Sequence, residues 1–317
     1  MKRAILLLTA LFLLIPAAGM DTVMRLTAYG PQGQEAVDAA VEEIYRLDAL
    51  LSASSPSSEV SRLNEAGGGP LTKDTASLLR SSLSVWEATG GLFECTIYPL
   101  MELWGFSTGE YRVPSQEELQ AALPLADSSL LRLQGDSLGQ RLDFGGIAKG
   151  YAAGRVMEIF SAHGVRSGLV SLGGSIQTLG TKPDGSLWRI GIQDPDAARE
   201  TFLAVLEVRD LAVVTSGGYE RFFEQDGETY IHILNPRTGR PAESDLLSVT
   251  VLSPDGVLAD ALSTALFIMG REEALAFWRE SSLEFQLVLL TEDRELYVTE
   301  GAAGVETELP LTVADRR

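Results

Sequence analysis

"RLDFGGIAKGYAAG", residues 141–154, runs from an apolar, strand-like stretch through two consecutive glycines into a helix-forming one. A glycine pair at such a junction lets the backbone come close to a ligand and aim its N–H groups at phosphate oxygens. The residue leading into the pair is Asp143, an anion that repels phosphate. Either a cation stands between the two, or the turn binds no phosphate. Two more pairs follow apolar runs, Gly173-Gly174 in "LVSLGGS" (169–175) and Gly217-Gly218 in "AVVTSGGYERFF" (212–223). Neither a P-loop nor a G-x-G-x-x-G pattern is present, so the standard nucleotide folds are not implied.

Outward from this stretch, "TVMRLTAY" (22–29) reads as a strand, and "EAVDAAVEEIYRLDALL" (35–51) as a helix with Val37, Ala40, Val41, Ile44, Leu47 and Leu51 on one stripe. Residues 52–70, "SASSPSSEVSRLNEAGGGP", read as a turn-rich loop, either a binding loop or a solvated connection. Residues 71–90 and 115–123 read as helical, and "TGGLFECTIYPLMELWGF" (89–106) as an aromatic loop wall. From "QRLDF" (140–144) onward, apolar strands alternate with helices over 148–163, 257–269 and 271–280. Many of the strand links are too short for crossover helices, so the expectation is an α+β fold with a mostly antiparallel sheet.

The chain has 317 residues, 45% of them apolar, a net charge of −19 and a pI near 4.5. That length supports a sizeable core. The charge disfavours nucleic acid and anionic membrane surfaces as partners, and an anionic ligand needs a local cation. One cysteine, Cys95, rules out an intramolecular disulfide; it reads as a packing residue. Two histidines, His163 and His232, rule out a His-rich or thiolate metal site, so any metal is hard and oxygen-bound. The start, "MKRAILLLTALFLLIPAAGM" (1–20), has basic residues, a short apolar run and small residues near Ala18. This is the pattern of an export signal over residues 1–19, followed by one domain over 20–317. The protein is expected in the periplasm or cell envelope, with the segment cleaved or kept as a tether.

Two clusters can carry chemistry. In "DGVLADALSTALFIMG" (255–270), helical spacing puts Asp260, Ser263 and Thr264 on one face. They suit a Mg²⁺ ion that keeps waters and takes ligands from a phosphate. Alternatively the hydroxyls bond back to the helix and Asp260 is solvated. In "YIHILNPRTGRP" (230–241), His232 sits in an expected strand just before a Pro-Gly turn, either as a core residue or as a functional one.

Taken in order, "MDTVM", "SSEVSRLNEAG", "TGGLFECTIYPLMELWGF", "LDFGGIAKGYA", "LVSLGGS", "SGGYERFF", "HILNPRTGRP" and "DALSTALF" resemble the ApbE family of FAD:protein FMN transferases, from Met20 to about Gly270. The resemblance implies an ApbE-like, T-fold-like α+β architecture and Mg²⁺-dependent transfer of FMN from FAD to a Ser or Thr hydroxyl of an acceptor protein, releasing AMP. It implies that Asp143, Met20, Phe93 and Glu94 line the flavin end of FAD. Gly145, Gly146, Lys149, Gly173, Gly174, Gly217 and Gly218 would complete the FAD site. The metal would be held by Asp260, Thr264 and a backbone oxygen of Gly146, with Ser263 at the remaining position, and Mg²⁺ would be the cation between acid and phosphate. His232, with Asp260 as the other candidate, would take the proton of the acceptor hydroxyl. Three positions depart from the family pattern: Glu94-Cys95 replaces the usual Asp-Pro, Ser175 a common Asn, and Ser263 an Asp found in some members. The last bears on whether a second metal binds. Two rival functions are an FAD pyrophosphatase, which would release AMP and FMN without acceptor, and a flavin-binding protein, which would retain FAD without turnover.

Overall fold

The structure is a computed structural model that describes residues 13–20, 22–131, 138–197, 201–302 and 304–316. Residues 1–12 of the expected export signal lie outside that range. In chain order the strands are β1 (Leu13–Gly19), β2 (Thr22–Tyr29), β3 (Ser167–Leu172), β4 (Ser175–Leu179), β5 (Trp188–Gln193), β6 (Phe202–Val208), β7 (Ala212–Gly217), β8 (Phe222–Gln225), β9 (Glu228–Ile231), β10 (Leu234–Asn235), β11 (Arg240–Pro241), β12 (Leu246–Ser253), β13 (Gln286–Thr291), β14 (Leu296–Thr299), β15 (Glu306–Thr307) and β16 (Leu311–Ala314). The helices are α1 (Gly33–Leu51), α2 (Glu59–Ala66), α3 (Lys73–Ala88), α4 (Tyr98–Leu103), α5 (Gln116–Ala122), α6 (Ala148–Ala162) and α7 (Gly256–Glu280).

Nine strands form one sheet in the order β1-β2-β3-β4-β7-β12-β13-β14-β16. Every pairing in it is antiparallel except β14 with β16. Alternation along the strands gives the sheet two buried faces. Val249, Val251, Leu287 and Leu289 pack with α1, α6 and α7 on one side. Leu252, Val288 and Leu290 pack on the other side against β5 and β6 of a three-stranded sheet. A separate aromatic cluster, Trp104, Phe106 and Phe223, joins the 97–106 segment to the β8–β9 hairpin.

The α+β, mostly antiparallel architecture agrees with the sequence reading, and three local expectations change. Residues 59–66 of the supposed loop form α2, started by Ser58, whose hydroxyl accepts Ser61 N, and ended by Gly67 in the left-handed region. "QRLDF" joins no strand ladder. His232 lies just past β9, because the strand expected over 230–234 is broken at the base of the hairpin. The helices expected over 257–269 and 271–280 are both present within α7, separated by a kink at the non-helical Gly270 with φ 74° and ψ 176°.

Candidate active site

A cavity of about 800 Å³ opens where α6, α7, the ends of β3 and β7 and the base of the β8–β9 hairpin converge. Met20, Phe93, Glu94, Asp143, Gly145, Gly146, Lys149, Gly173, Gly174, Gly217, His232, Asp260 and Thr264 all line it. Residues as far apart in the chain as Met20 and Thr264 are thus gathered on one surface. Gly218 and Ser263 are not among the lining residues. Gly218 packs on Ile231, and Ser263 is fully buried, with its hydroxyl 2.7 Å from Ser216 Oγ and donating to Asp260 O at 2.8 Å. Such back-bonding is what a helical serine does when its face meets a sheet.

The first glycine turn resolves the conflict between acid and phosphate in an unexpected way. Gly145 N donates to Asp143 Oδ1 at 2.7 Å, so the acid itself takes the amide that a phosphate would have used. Asp143 N in turn donates to Cys95 O at 2.8 Å. Burial pushes the Asp143 carboxyl above its ordinary range, while the Gly145 amide and the Arg221 charge oppose the rise. Next in the turn, Gly146 packs tightly: a Cβ there would lie 3.3 Å from the Phe93 ring and 3.5 Å from Thr264 Oγ1.

Helix α6 begins at Ala148 with no side-chain cap of its own. Asp260, reaching from α7, fills that role, with Oδ2 accepting Gly150 N at 2.8 Å. A carboxylate at a helix N-terminus is stabilised by the exposed amides there. Asp260 is only 3% exposed, so the solvated carboxylate weighed from the sequence is not what the fold contains. Its Oδ1 remains, 3.9 Å from Lys149 Nζ. Asp260 Oδ1, the Thr264 hydroxyl beside Gly146, and the Gly146 peptide form an oxygen-only donor set, which fits a hard divalent cation. Among the described residues no group of three or more His, Cys, Asp or Glu gathers elsewhere. A single carboxylate leaves most positions of such an ion to water and to phosphate oxygens.

His232 is held by its neighbour across the hairpin base. Its backbone N donates to Arg221 O at 3.0 Å, and Nδ1 lies 3.0 Å from the same oxygen. With Nδ1 as the donor, Nε2 is an acceptor. Burial lowers the imidazole pKa from 6.5 to about 4; the hydrogen bond to Arg221 O opposes the shift and the Arg221 and Lys149 charges add to it, so the ring is neutral at pH 7. Glu94 lines the cavity, yet its carboxylate is consumed within the wall. Oε1 accepts Thr96 N (2.8 Å), Thr96 Oγ1 (2.7 Å) and Ser128 Oγ, and Oε2 accepts Ser128 N (3.0 Å). Cys95 is buried, with its thiol pushed up to about 12 by desolvation, which fits an inert packing residue.

Three contributors were absent from the sequence reading. Arg221 lines the cavity, donates to Phe106 O and sits over the Phe106 ring with Cζ 5.8 Å from its centroid. An arginine just beyond a glycine pair in so acidic a chain was the available signal. Ser107 lines the same wall with a buried hydroxyl that has no partner among the described residues. Asp48, at the end of α1, accepts Met20 N at 2.8 Å.

The chain is similar to known proteins of one family. The ApbE family model matches residues 20–288. The chain is 36% identical to the FAD:protein FMN transferase of Treponema pallidum (strain Nichols), over 82% of this chain and 80% of the relative. It is 30% identical to that of Escherichia coli (strain K12), over 85% and 82%. Among solved structures, the ApbE protein of Thermotoga maritima superposes with a TM-score of 0.84 at 29% identity, covering 92% of this chain and 98% of that one. The apo flavinyl transferase ApbE of Pseudomonas stutzeri matches with a TM-score of 0.76 at 32% identity, over 88% and 92%.

Proposed function

The chain belongs to the ApbE family, and from that premise we infer that it is an enzyme that transfers FMN from FAD to an acceptor protein. The observation that carries this reading is the convergence of glycine turns, oxygen donors and a neutral histidine in one cavity. Asp143 addresses polar groups of the flavin, and Met20, Phe93 and Glu94 wall that end. Gly146, Gly173, Gly174 and Gly217 let the diphosphate come close to the backbone, with Lys149 and Arg221 offering local positive charge in a chain of net charge −19.

The acceptor supplies a Ser or Thr hydroxyl, whose oxygen attacks the FMN-side phosphorus of FAD. A phosphoester P–O bond forms, the bridging P–O bond breaks, and AMP leaves with the bridging oxygen. The hydroxyl proton passes to Nε2 of His232: the Arg221 carbonyl holds the other ring proton on Nδ1, and burial keeps the ring neutral and ready to accept. A Mg²⁺ ion held by Asp260, Thr264 and the Gly146 oxygen, with Ser263 buried behind them, would neutralise charge on the diphosphate. Residues 1–19 direct export, and residues 20–317 form one transferase unit; the basic start, short apolar run and small residues support this.

Intact-mass analysis of a candidate acceptor, incubated with the protein, FAD and Mg²⁺, tests the reading. Addition of one FMN at a Ser or Thr is expected. Release of FMN and AMP with no labelled acceptor would replace transfer by hydrolysis.

A further inference from the structure

Asn64, on α2, makes both hydrogen bonds that a neighbouring strand would make to Leu142. Leu142 N donates to Asn64 Oδ1 at 2.6 Å, and Asn64 Nδ2 donates to Leu142 O at 2.8 Å. The two residues are 78 positions apart in the chain, and Asn64 is only 8% exposed. The stretch they join, residues 141–144, has no strand ladder of its own. Leu142 O belongs to the same peptide unit as Asp143 N, and Asp143 N donates to Cys95 O at 2.8 Å. One peptide plane is therefore pinned at its oxygen by α2 and at its N–H by the aromatic wall. The next side chain along, Asp143, carries the constraint into the turn by accepting Gly145 N at 2.7 Å.

Helix α2 is itself fixed. Ser61 Oγ donates to Ala53 O at 2.9 Å, tying the helix to the 52–55 segment that lines the cavity. Leu138 N donates to Gly67 O at 3.0 Å at its other end. Only an amide side chain can give one donor and one acceptor to a single residue's backbone in this geometry. Aspartate would set a second oxygen against Leu142 O, and leucine would leave both backbone groups buried without partners.

We propose that Asn64 is a positioning residue for FAD, which fixes the Leu142–Asp143 peptide and through it the orientation of Asp143 and the Gly145-Gly146 turn. The inference rests on the reading of that turn as part of the FAD site. Groups that orient metal-ligating side chains from behind typically change affinity by about 10–100-fold when lost, and an effect of about that size is expected here.

The test is a double-mutant cycle on FAD affinity, read from flavin fluorescence with purified protein, with thermal melting in parallel. Asn64→Asp is expected to raise the FAD Kd about tenfold or more in the wild-type background. In an Asp143→Ala background it is expected to change Kd by less than about twofold, because the group through which it acts is gone. A merely structural role would lower the melting temperature alike in both backgrounds without this coupling. Should Asn64→Asp melt below the assay temperature, Asn64→Ala removes the amide without adding a repelling oxygen and must show the same coupling. An FAD Kd within about twofold of wild type, or fold-changes that multiply in the double variant, would overturn the proposal. If wild-type protein binds no FAD, the functional reading falls first, and this proposal with it.

Discussion

With Oδ2 accepting the Gly150 amide at 2.8 Å, Asp260 has only Oδ1 left to face the cavity. Asp260→Ala would strand a buried N–H and cost about 1–3 kcal/mol, so loss of activity in that variant would not separate metal binding from folding. Asp260→Asn keeps an acceptor for Gly150. It should melt within a few degrees of wild type while losing Mg²⁺-dependent FMN transfer, as read in a Mg²⁺ titration. Wild-type turnover in Asp260→Asn would remove Asp260 from the metal site. At His232 the folded pKa is about 4 against an ordinary 6.5. Between those values the unfolded chain takes up a proton that the folded chain declines, so stability falls as pH drops from about 6.5 toward 4. His232→Gln removes this contribution, and melting curves at pH 7.5 and 4.5 should show the wild type losing more stability than the variant. Independently, His232→Ala should slow FMN transfer by about 10²–10⁴-fold with a much smaller change in FAD Kd. Equal rates would make it a core histidine.

The contact between α6 and α7 holds Asp260 in place, and it depends on Gly150. A Cβ on Gly150 would fall 2.1 Å from Gly256 O and 2.8 Å from Asp260 Cβ. Gly150→Ala must push the helices apart, at about 1–3 kcal/mol, and should lower both the melting temperature and the transfer rate. Gly154, one turn on, has nothing within 4 Å of such a Cβ. Gly154→Ala is expected to be neutral or to stabilise by up to about 1 kcal/mol, and a loss as large as that of Gly150→Ala would refute the packing argument. Legibility at this scale followed periodicity. The buried stripe of α1, from Val37 to Leu51, was readable because one face meets the core throughout. Helix α2 was not, since its eight residues sit among serines, proline and glycines that read as turn, although Ser58 and Gly67 are its cap signals. "QRLDF" has the composition of a strand, but Asn64 and Cys95 take its backbone groups before any strand can.

At the scale of the molecule, the nine-stranded sheet is covered on both faces, and β1 is its edge. Cleavage after Gly19, as the proposed export signal requires, would remove β1 and make β2 the edge strand. The expected outcome is a mature N-terminus at or next to Met20, checked by sequencing protein recovered from the cell envelope; soluble cytoplasmic protein retaining Met1 would overturn export.

The sequence by itself determined the α+β class and most elements of the large sheet, because period-2 and period-3.6 apolar patterns are local properties that survive without tertiary information. It also carried the ordered motifs of the family, and thirteen of the fifteen candidate site residues line one cavity. What each side chain faces was decided only by tertiary structure. Ser263 bonds into β7, Glu94 reaches Ser128, and Asp260 caps a helix far away in the chain. A hydrogen bond has a direction and a partner, and where those partners lie 34 to 110 residues away no local pattern encodes them.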